Sequence, residues 1–213
     1  MGQPDTARAV AQHRRAAPAA GAEGNEKLTA LTGALLLVGF AIEGVTILQI
    51  HRLLFLHFLV GLLLIGPAAL KIGSTVYRFA RYYAGAAPYV RKGPPSPALR
   101  VLGPLVILTS VGVLGSGVML AIAGHGGPWL FLHKASFVLW FGVMTVHVVN
   151  YAPRLPRMLG ARSEAGGRSE AGGRSVAVPG GLARWLLLAA SLAVGVGVAA
   201  VTMQMSAGWG ISF

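Results

Sequence analysis

Five uninterrupted apolar runs constrain this chain more than any other feature of its sequence. A helix of about 20 residues crosses the roughly 30 Å hydrocarbon core of a bilayer, and only helices and closed barrels satisfy the backbone there. The charged fraction of 11% is far below the roughly 25% of soluble domains. We therefore predict an all-α, polytopic membrane bundle of five transmembrane helices. The runs occupy residues 28–50, 52–71, 101–123, 129–150 and 182–204.

The segments around these runs predict how the chain is organised. Residues 1–27 are rich in Ala, Gly and charge, and we expect a disordered cytoplasmic arm. Residues 161–181 contain Arg-Ser-Glu-Ala-Gly-Gly twice, which is typical of a low-complexity linker. The second run continues as an amphipathic stretch over 74–83. We predict a four-helix transmembrane core over 28–160, and a fifth helix with a short external tail over 182–213.

The positions of the cations predict the orientation of the helices. Of the 18 Lys and Arg residues, four precede the first run, six lie between residues 71 and 100, and six lie between 154 and 184. With five spans all of these fall on one face, and only Arg52 and Lys134 fall near the other. The positive-inside rule then places the N-terminus in the cytoplasm and the C-terminus outside a cell membrane. Because the cations lie between apolar runs, we expect no nucleic-acid partner.

Two histidines within the runs mark a candidate cofactor site. With this topology the second and fourth helices are parallel. His57 and His133 each lie about five residues inside their run, so we expect the two imidazoles at nearly the same depth. Ionisable residues are costly within a membrane and usually mark function there. Neutral imidazole is a good axial ligand of haem iron, and facing helices of a bundle supply both sides of a cofactor. We therefore predict that the four-helix core over 28–160 surrounds a haem site.

A second pair of positions lies deeper along the same two helices. His147 follows His133 by 14 residues, which returns to nearly the same helix face about 21 Å lower. Lys71 holds the equivalent position after His57. His147 is therefore a candidate ligand of a second haem. Lys71 either extends its ammonium to the headgroups or serves as a ligand or propionate partner of that inner haem.

Three further polar residues lie near the depth of His57. Glu43 is the only carboxylate within a predicted span. It has three candidate roles: to hold an imidazole by a hydrogen bond, to accept a proton from a quinol, or to pair with Arg52 or Lys134. These two cations lie near the outer ends of their helices, where haem propionates want positive charge.

This arrangement resembles cytochrome b of the quinol-oxidising complexes and the ferric-reductase-like proteins. In those families two b haems lie between two parallel helices that each carry two histidines, with one helix intervening. The chain is also similar to small cytochrome b561-type membrane subunits. It keeps the pattern at His57, His133 and His147 and departs from it at Lys71, and the likeness covers about residues 50–150. The resemblance implies one outer haem b and a possible inner one. It also implies electron transfer between quinone and a partner redox protein, by a subunit of an oxidoreductase rather than a complete enzyme.

The sequence leaves a second interpretation open. The chain would then be a cofactor-free small transporter or scaffold subunit, with Glu43, Lys71 and the histidines as proton or ion relay groups. Against it, five spans give no inverted repeat of equal halves and no pair of broken helices. The absence of cysteine excludes disulfides, thiolate ligands and covalent haem attachment in this sequence.

Overall fold

A computed structural model of the chain describes residues 4–93, 97–124, 127–151 and 181–205. Throughout these ranges the ordered elements are helices, and no strand occurs in them. The all-α class predicted from the apolar runs is therefore confirmed. In chain order the helices are α1 Pro4–Leu48, α2 Ile50–Leu63, α3 Ile65–Tyr83, α4 Ala87–Arg91, α5 Pro97–Ala123, α6 Trp129–Tyr151 and α7 Gly181–Met205.

The predicted number of membrane spans is also confirmed. Five stretches of helix are long and apolar enough to cross a bilayer, with α2 and α3 together forming the second. Large apolar side chains cover their outer surfaces, as with Leu48, which is 81% exposed. Such surfaces suit lipid, which solvates apolar side chains as well as a protein core does. The stretches are Ala22–Leu48, Ile50–Tyr83, Arg100–Ala123, Trp129–Asn150 and Gly181–Gln204.

The first helix begins earlier than the sequence predicts. We expected residues 1–27 to be a disordered arm, but α1 is helical from Pro4. Its alanine-rich sequence explains this difference, because alanine has the highest intrinsic helix propensity. Ala22 is buried, Asn25 hydrogen bonds to α3, and Glu26 forms an ion pair with Lys92. The last residues of the expected arm therefore belong to the packed first span.

The chain divides into two compact units. One comprises residues 1–94 and 178–201, and the other comprises residues 95–177 and 202–213. Most of α7 therefore belongs with α1–α4, whereas the sequence predicted one core from the first four spans. Most of the predicted linker over 161–181 and the tail after Met205 lie outside the described residues, apart from Gly181, which begins α7.

Within the first unit, α1 and the second span run antiparallel from one tight turn. Gln49 interrupts the helix with φ −127° and ψ 35°, and its amide donates to the Thr46 carbonyl oxygen over 3.2 Å. Glycines on α1 then leave room for the side chains of the second span. A Cβ on Gly33 would lie 2.9 Å from Lys71 Nζ, and one on Gly39 would overlap the side chain of Leu64. The turn therefore sets which residues of the two spans face each other.

The second span contains a proline that shapes its contact with α7. Pro67 has no amide hydrogen, so the helical bond that would reach the Leu63 carbonyl oxygen is missing. That oxygen lies where α7 crosses most closely, and a Cβ on Gly195 would overlap it. A Cβ on Gly66 would in turn overlap the Ser191 carbonyl oxygen. Small residues on both helices thus allow backbone to meet backbone, as is common in membrane helix pairs.

Within the second unit, α5 and α6 form an antiparallel hairpin. Trp140 Nε1 donates a 3.0 Å hydrogen bond to Ser110 Oγ, and both side chains are buried. Nearer the connecting loop, Ser116 Oγ lies 2.9 Å from Ser136 Oγ. These two polar contacts fix the register of the hairpin at two levels.

Candidate functional site

His57 lies on α2, and its ring is held by two side chains of α1. Nδ1 contacts Glu43 Oε2 and lies 2.8 Å from Thr46 Oγ1. The Thr46 hydroxyl lies 2.7 Å from the Glu43 carbonyl oxygen, to which it donates. When Nδ1 carries a proton, the same threonine oxygen accepts from it. A carboxylate beside Nδ1 favours the proton on that nitrogen, which makes Nε2 the nitrogen with a lone pair.

The position of this cluster follows from the local sequence. Glu43 and Thr46 are three residues apart, so they lie on the same face of α1, and the turn at Gln49 directs α2 back along that face. Thr46 is 1% exposed and Glu43 is 8% exposed. A buried carboxylate is costly unless it is paired. The imidazole and the threonine hydroxyl supply that pairing on one of its two oxygens.

The second carboxylate oxygen of Glu43, Oε1, has different surroundings from Oε2. Among the described residues, no hydrogen-bond partner reaches Oε1, which is buried. It faces α2 at Gly61, where a Cβ would lie 3.5 Å from it. Of the contacts predicted for Glu43, the structure shows the one with an imidazole, which is made by Oε2. Within this unit Glu43 contacts His57 rather than Arg52.

His133 lies on α6, and its ring is held by α5 in a similar way. Nδ1 lies 3.2 Å from Ser116 Oγ, and Ser136 donates to the His133 carbonyl oxygen over 3.0 Å. Ser116 also lies 3.1 Å from the Val113 carbonyl oxygen, to which it donates. A Cβ on Gly117 would lie 3.2 Å from His133 Cε1, so the absence of a side chain there admits the ring.

The two imidazoles share one feature. In each, Nδ1 faces a hydroxyl contributed by the preceding span, Thr46 for His57 and Ser116 for His133. Metal-binding histidines are usually oriented by such a contact at the nitrogen that does not bind the metal. Each ring is therefore oriented so that Nε2 is the candidate ligand atom. His57 belongs to the first unit and His133 to the second, so each is described with its own surroundings.

Lys71 lies between α1 and α3. Its ammonium donates to the Thr29 carbonyl oxygen over 2.5 Å, beside Gly33. The Thr29 hydroxyl in turn donates to Ser74 Oγ over 3.0 Å. The side chain thus takes part in the helix contact, which differs from an extended lysine that only reaches for the headgroups. Lys71 would have to leave this contact to bind a metal.

The remaining predicted site residues lie in less enclosed positions. His147 is half-buried on α6, with Nδ1 shielded from solvent. Arg52 on α2 and Lys134 on α6 are exposed, each close in sequence to a candidate histidine. In the part of the chain that the structure describes, no group of three or more metal-binding side chains gathers. An axial haem site needs only two such side chains.

Sequence reasoning missed the hydroxyl groups beside the histidines. The spacing of Thr46 from Glu43 was a usable signal, because residues three apart share a helix face. Ser116 carried no such signal, since its partner lies on another helix.

Comparison with known protein families, curated proteins and solved structures yields no match.

Proposed function

We propose that this chain is a membrane b-type cytochrome subunit in which His57 and His133 bind haem iron through Nε2. The observation that carries the proposal is the shared orientation of the two rings. Each has Nδ1 engaged by a polar side chain of the preceding span. Neutral imidazole with its second nitrogen held by a hydroxyl or carboxylate is a common metal ligand.

The pairing of both histidines on one iron rests on the predicted topology. The second and fourth spans are parallel when the N-terminus is cytoplasmic, and His57 and His133 then have equal depth. Arg52 and Lys134 lie toward the same end and are proposed partners of the haem propionates. A bound haem would supply one-electron chemistry. We propose a membrane quinone and a partner oxidoreductase as its donor and acceptor.

A second haem, at the inner position of His147 and Lys71, is less well supported than the outer haem. His147 lies on the proposed haem face of α6, but Lys71 donates to the Thr29 carbonyl oxygen. A lysine must lose its proton to bind iron, and Lys71 would also have to leave its contact with α1. One haem per chain is therefore the proposed stoichiometry, with His147 as the candidate ligand if a second is found.

The decisive experiment is a pyridine haemochrome assay on protein purified from haem-supplied cells. We expect about one haem b per chain, with a bis-imidazole spectrum. His57→Ala and His133→Ala should each abolish that spectrum. His51→Ala is the matched control, because it removes an exposed imidazole from the same helix as His57. Wild-type protein without a Soret band, or single variants that both keep the spectrum, would refute the proposal.

The role of Glu43 has its own test. Glu43→Gln keeps an oxygen beside His57 Nδ1 but removes a negative charge that stabilises the oxidised, more positive haem. We expect bound haem with a higher midpoint potential. Glu26→Gln is the control, because this exposed carboxylate pairs with Lys92 instead. Equal potentials in the two variants would show that Glu43 does not act on the haem ligand.

One observation favours a second candidate function, that of a cofactor-free transporter. Glu43 Oε1 is buried with no hydrogen-bond partner among the described residues, while Oε2 contacts His57. A carboxylate and an imidazole in contact within a span are suited to proton relay. Liposomes that contain haem-free protein and a pH-sensitive dye would test it. Proton flux that is lost in Glu43→Gln supports the transporter, and equal flux in protein-free liposomes refutes it.

A further inference from the structure

A cluster of cations lies at one end of the first unit, on the face of α3 that meets α1. Lys71, Ser74, Arg78 and Arg81 follow at spacings of three or four residues, so they share one helix face. Ser74 fixes the direction of this face. It is buried, its hydroxyl accepts from Thr29 of α1, and its carbonyl oxygen accepts from Asn25 over 3.2 Å.

The short helix α4 closes over this face. Tyr89 is buried, and its ring meets Tyr77 edge to face with 6.2 Å between centroids. Burial raises the pKa of the Tyr89 phenol, Tyr77 adds to the rise, and the guanidinium groups of Arg81 and Arg78 act in the opposite direction. On α3, Arg78 is adjacent to Tyr77 and Arg81 lies one helical turn after it, so both arginines lie near this pair of phenols. At the end of α4, Lys92 pairs with Glu26 of α1 and ties the three helices together.

The charge at this end is strongly unbalanced. Among the described side chains of the unit, two carboxylates lie here, Glu23 and Glu26, and Lys92 already occupies Glu26. Arg184 of α7 reaches the same end, since a Cβ on Gly24 would lie 3.4 Å from its Nη1. The cations of this region are Lys27, Lys71, Arg78, Arg81, Arg91, Lys92 and Arg184.

The opposite face of α3 indicates the depth of this cluster. Val76 and Tyr83 are 51% and 70% exposed, and the ring of Phe79 stacks on Tyr83 at 6.3 Å. The last part of α3 has exposed apolar and aromatic residues on one face and cations on the other, which is typical of a segment at the membrane interface. Tyrosine rings also prefer the headgroup level. The arginines are thus placed among headgroups rather than in bulk water.

We propose that Arg78 and Arg81, with Tyr77 beside them, bind the phosphodiester headgroup of an anionic phospholipid. Guanidinium groups bind phosphate oxygens through two parallel hydrogen bonds, and the phenol offers another donor. Clusters of cations at a span end attract anionic lipids. A defined site differs from that diffuse attraction, because its affinity depends on particular arginines. This inference is independent of the haem proposal.

Native mass spectrometry of the detergent-solubilised full chain tests the site. Dioleoylphosphatidylglycerol and dioleoylphosphatidylcholine, which differ in net charge, are titrated separately. The wild type should bind the anionic lipid more tightly. Arg81→Gln should weaken this binding about 5-fold, and Arg78→Gln with Arg81→Gln about 30-fold, from the energy of each cation near a lipid surface. Arg100→Gln, which removes an exposed cation from the second unit, should change it little.

Each other outcome overturns the proposal. Equal affinity of the wild type for the two lipids would show that no anionic site exists. Equal losses in Arg81→Gln and Arg100→Gln would show diffuse attraction only. If excess inorganic phosphate displaced the anionic lipid, the site would be one for free phosphate. Should the double glutamine variant fail to fold, Arg78→Lys with Arg81→Lys keeps the charge and should still bind more weakly, because lysine cannot form paired hydrogen bonds.

Discussion

Replacement of Gly195 by alanine tests the closest backbone contact of the first unit. The added Cβ would lie 3.1 Å from Leu63 Cα and would overlap the Leu63 carbonyl oxygen. Ordinary contacts begin at 3.4 Å, and here both neighbours are backbone atoms that cannot rotate away. The helices must therefore separate. We expect this overpacking to cost about 1–3 kcal/mol.

The matched control is Gly197→Ala, two residues further along α7, where no atom lies within 4 Å of the added Cβ. Both variants gain the same helix propensity of alanine over glycine, about 1 kcal/mol. The difference between them therefore isolates the overpacking. It is measured as the free energy of unfolding when sodium dodecyl sulfate is titrated into dodecylmaltoside micelles, with tryptophan fluorescence as the signal.

Gly66 provides a second test of the same contact. A Cβ on Gly66 would lie 3.0 Å from the Gly195 amide nitrogen, whereas one on Gly73 meets nothing within 4 Å. Gly66→Ala should lower the free energy of unfolding relative to Gly73→Ala. Because Gly66 and Gly195 touch, the double alanine variant should lose less than the sum of the single losses. If Gly195→Ala and Gly197→Ala unfold at the same detergent fraction, the second span and α7 do not cross as closely as described.

Three other contacts give separate expectations. Trp140→Phe removes the hydrogen bond to Ser110 and should lower the free energy of unfolding by about 1 kcal/mol. In a double-mutant cycle, the further change Ser110→Ala should lower it little more. Lys92→Gln should change stability by less than about 1 kcal/mol, because its pair with Glu26 is exposed, and salt should erase the difference. Burial raises the pKa of Tyr89 above its ordinary value of 10.0. The neutral phenol therefore contributes fully to the stability of the folded state below that value, and this contribution is lost as the pH rises through the folded pKa. Tyr89→Phe should remove this alkaline loss in unfolding measurements at a series of pH values, and an unchanged profile would contradict it.

The sequence was sufficient for the spans because each depends on a local property. Apolar length alone predicted the five stretches. The amphipathic pattern over 74–83 predicted that the second helix continues past its apolar run, as the last part of α3 does. The contact of Glu43 with an imidazole was among the predicted roles because Glu43 and His57 lie at a similar depth in consecutive spans. The hydroxyl of Ser116 was not predicted, because its contact with His133 depends on the register of two helices. The place of α7 beside the second span was missed for the same reason: small residues at Gly66, Ser191 and Gly195 suit any neighbour.

The contact between Leu63 and Gly195 has a consequence for biogenesis. Pro67 removes the amide that would cover the Leu63 carbonyl oxygen, and α7 lies over that position. A backbone carbonyl without a partner is expensive in hydrocarbon. The second span is synthesised long before α7, and α5 and α6 emerge between them. The first unit therefore reaches its final packing only after both helices of the second unit have been synthesised.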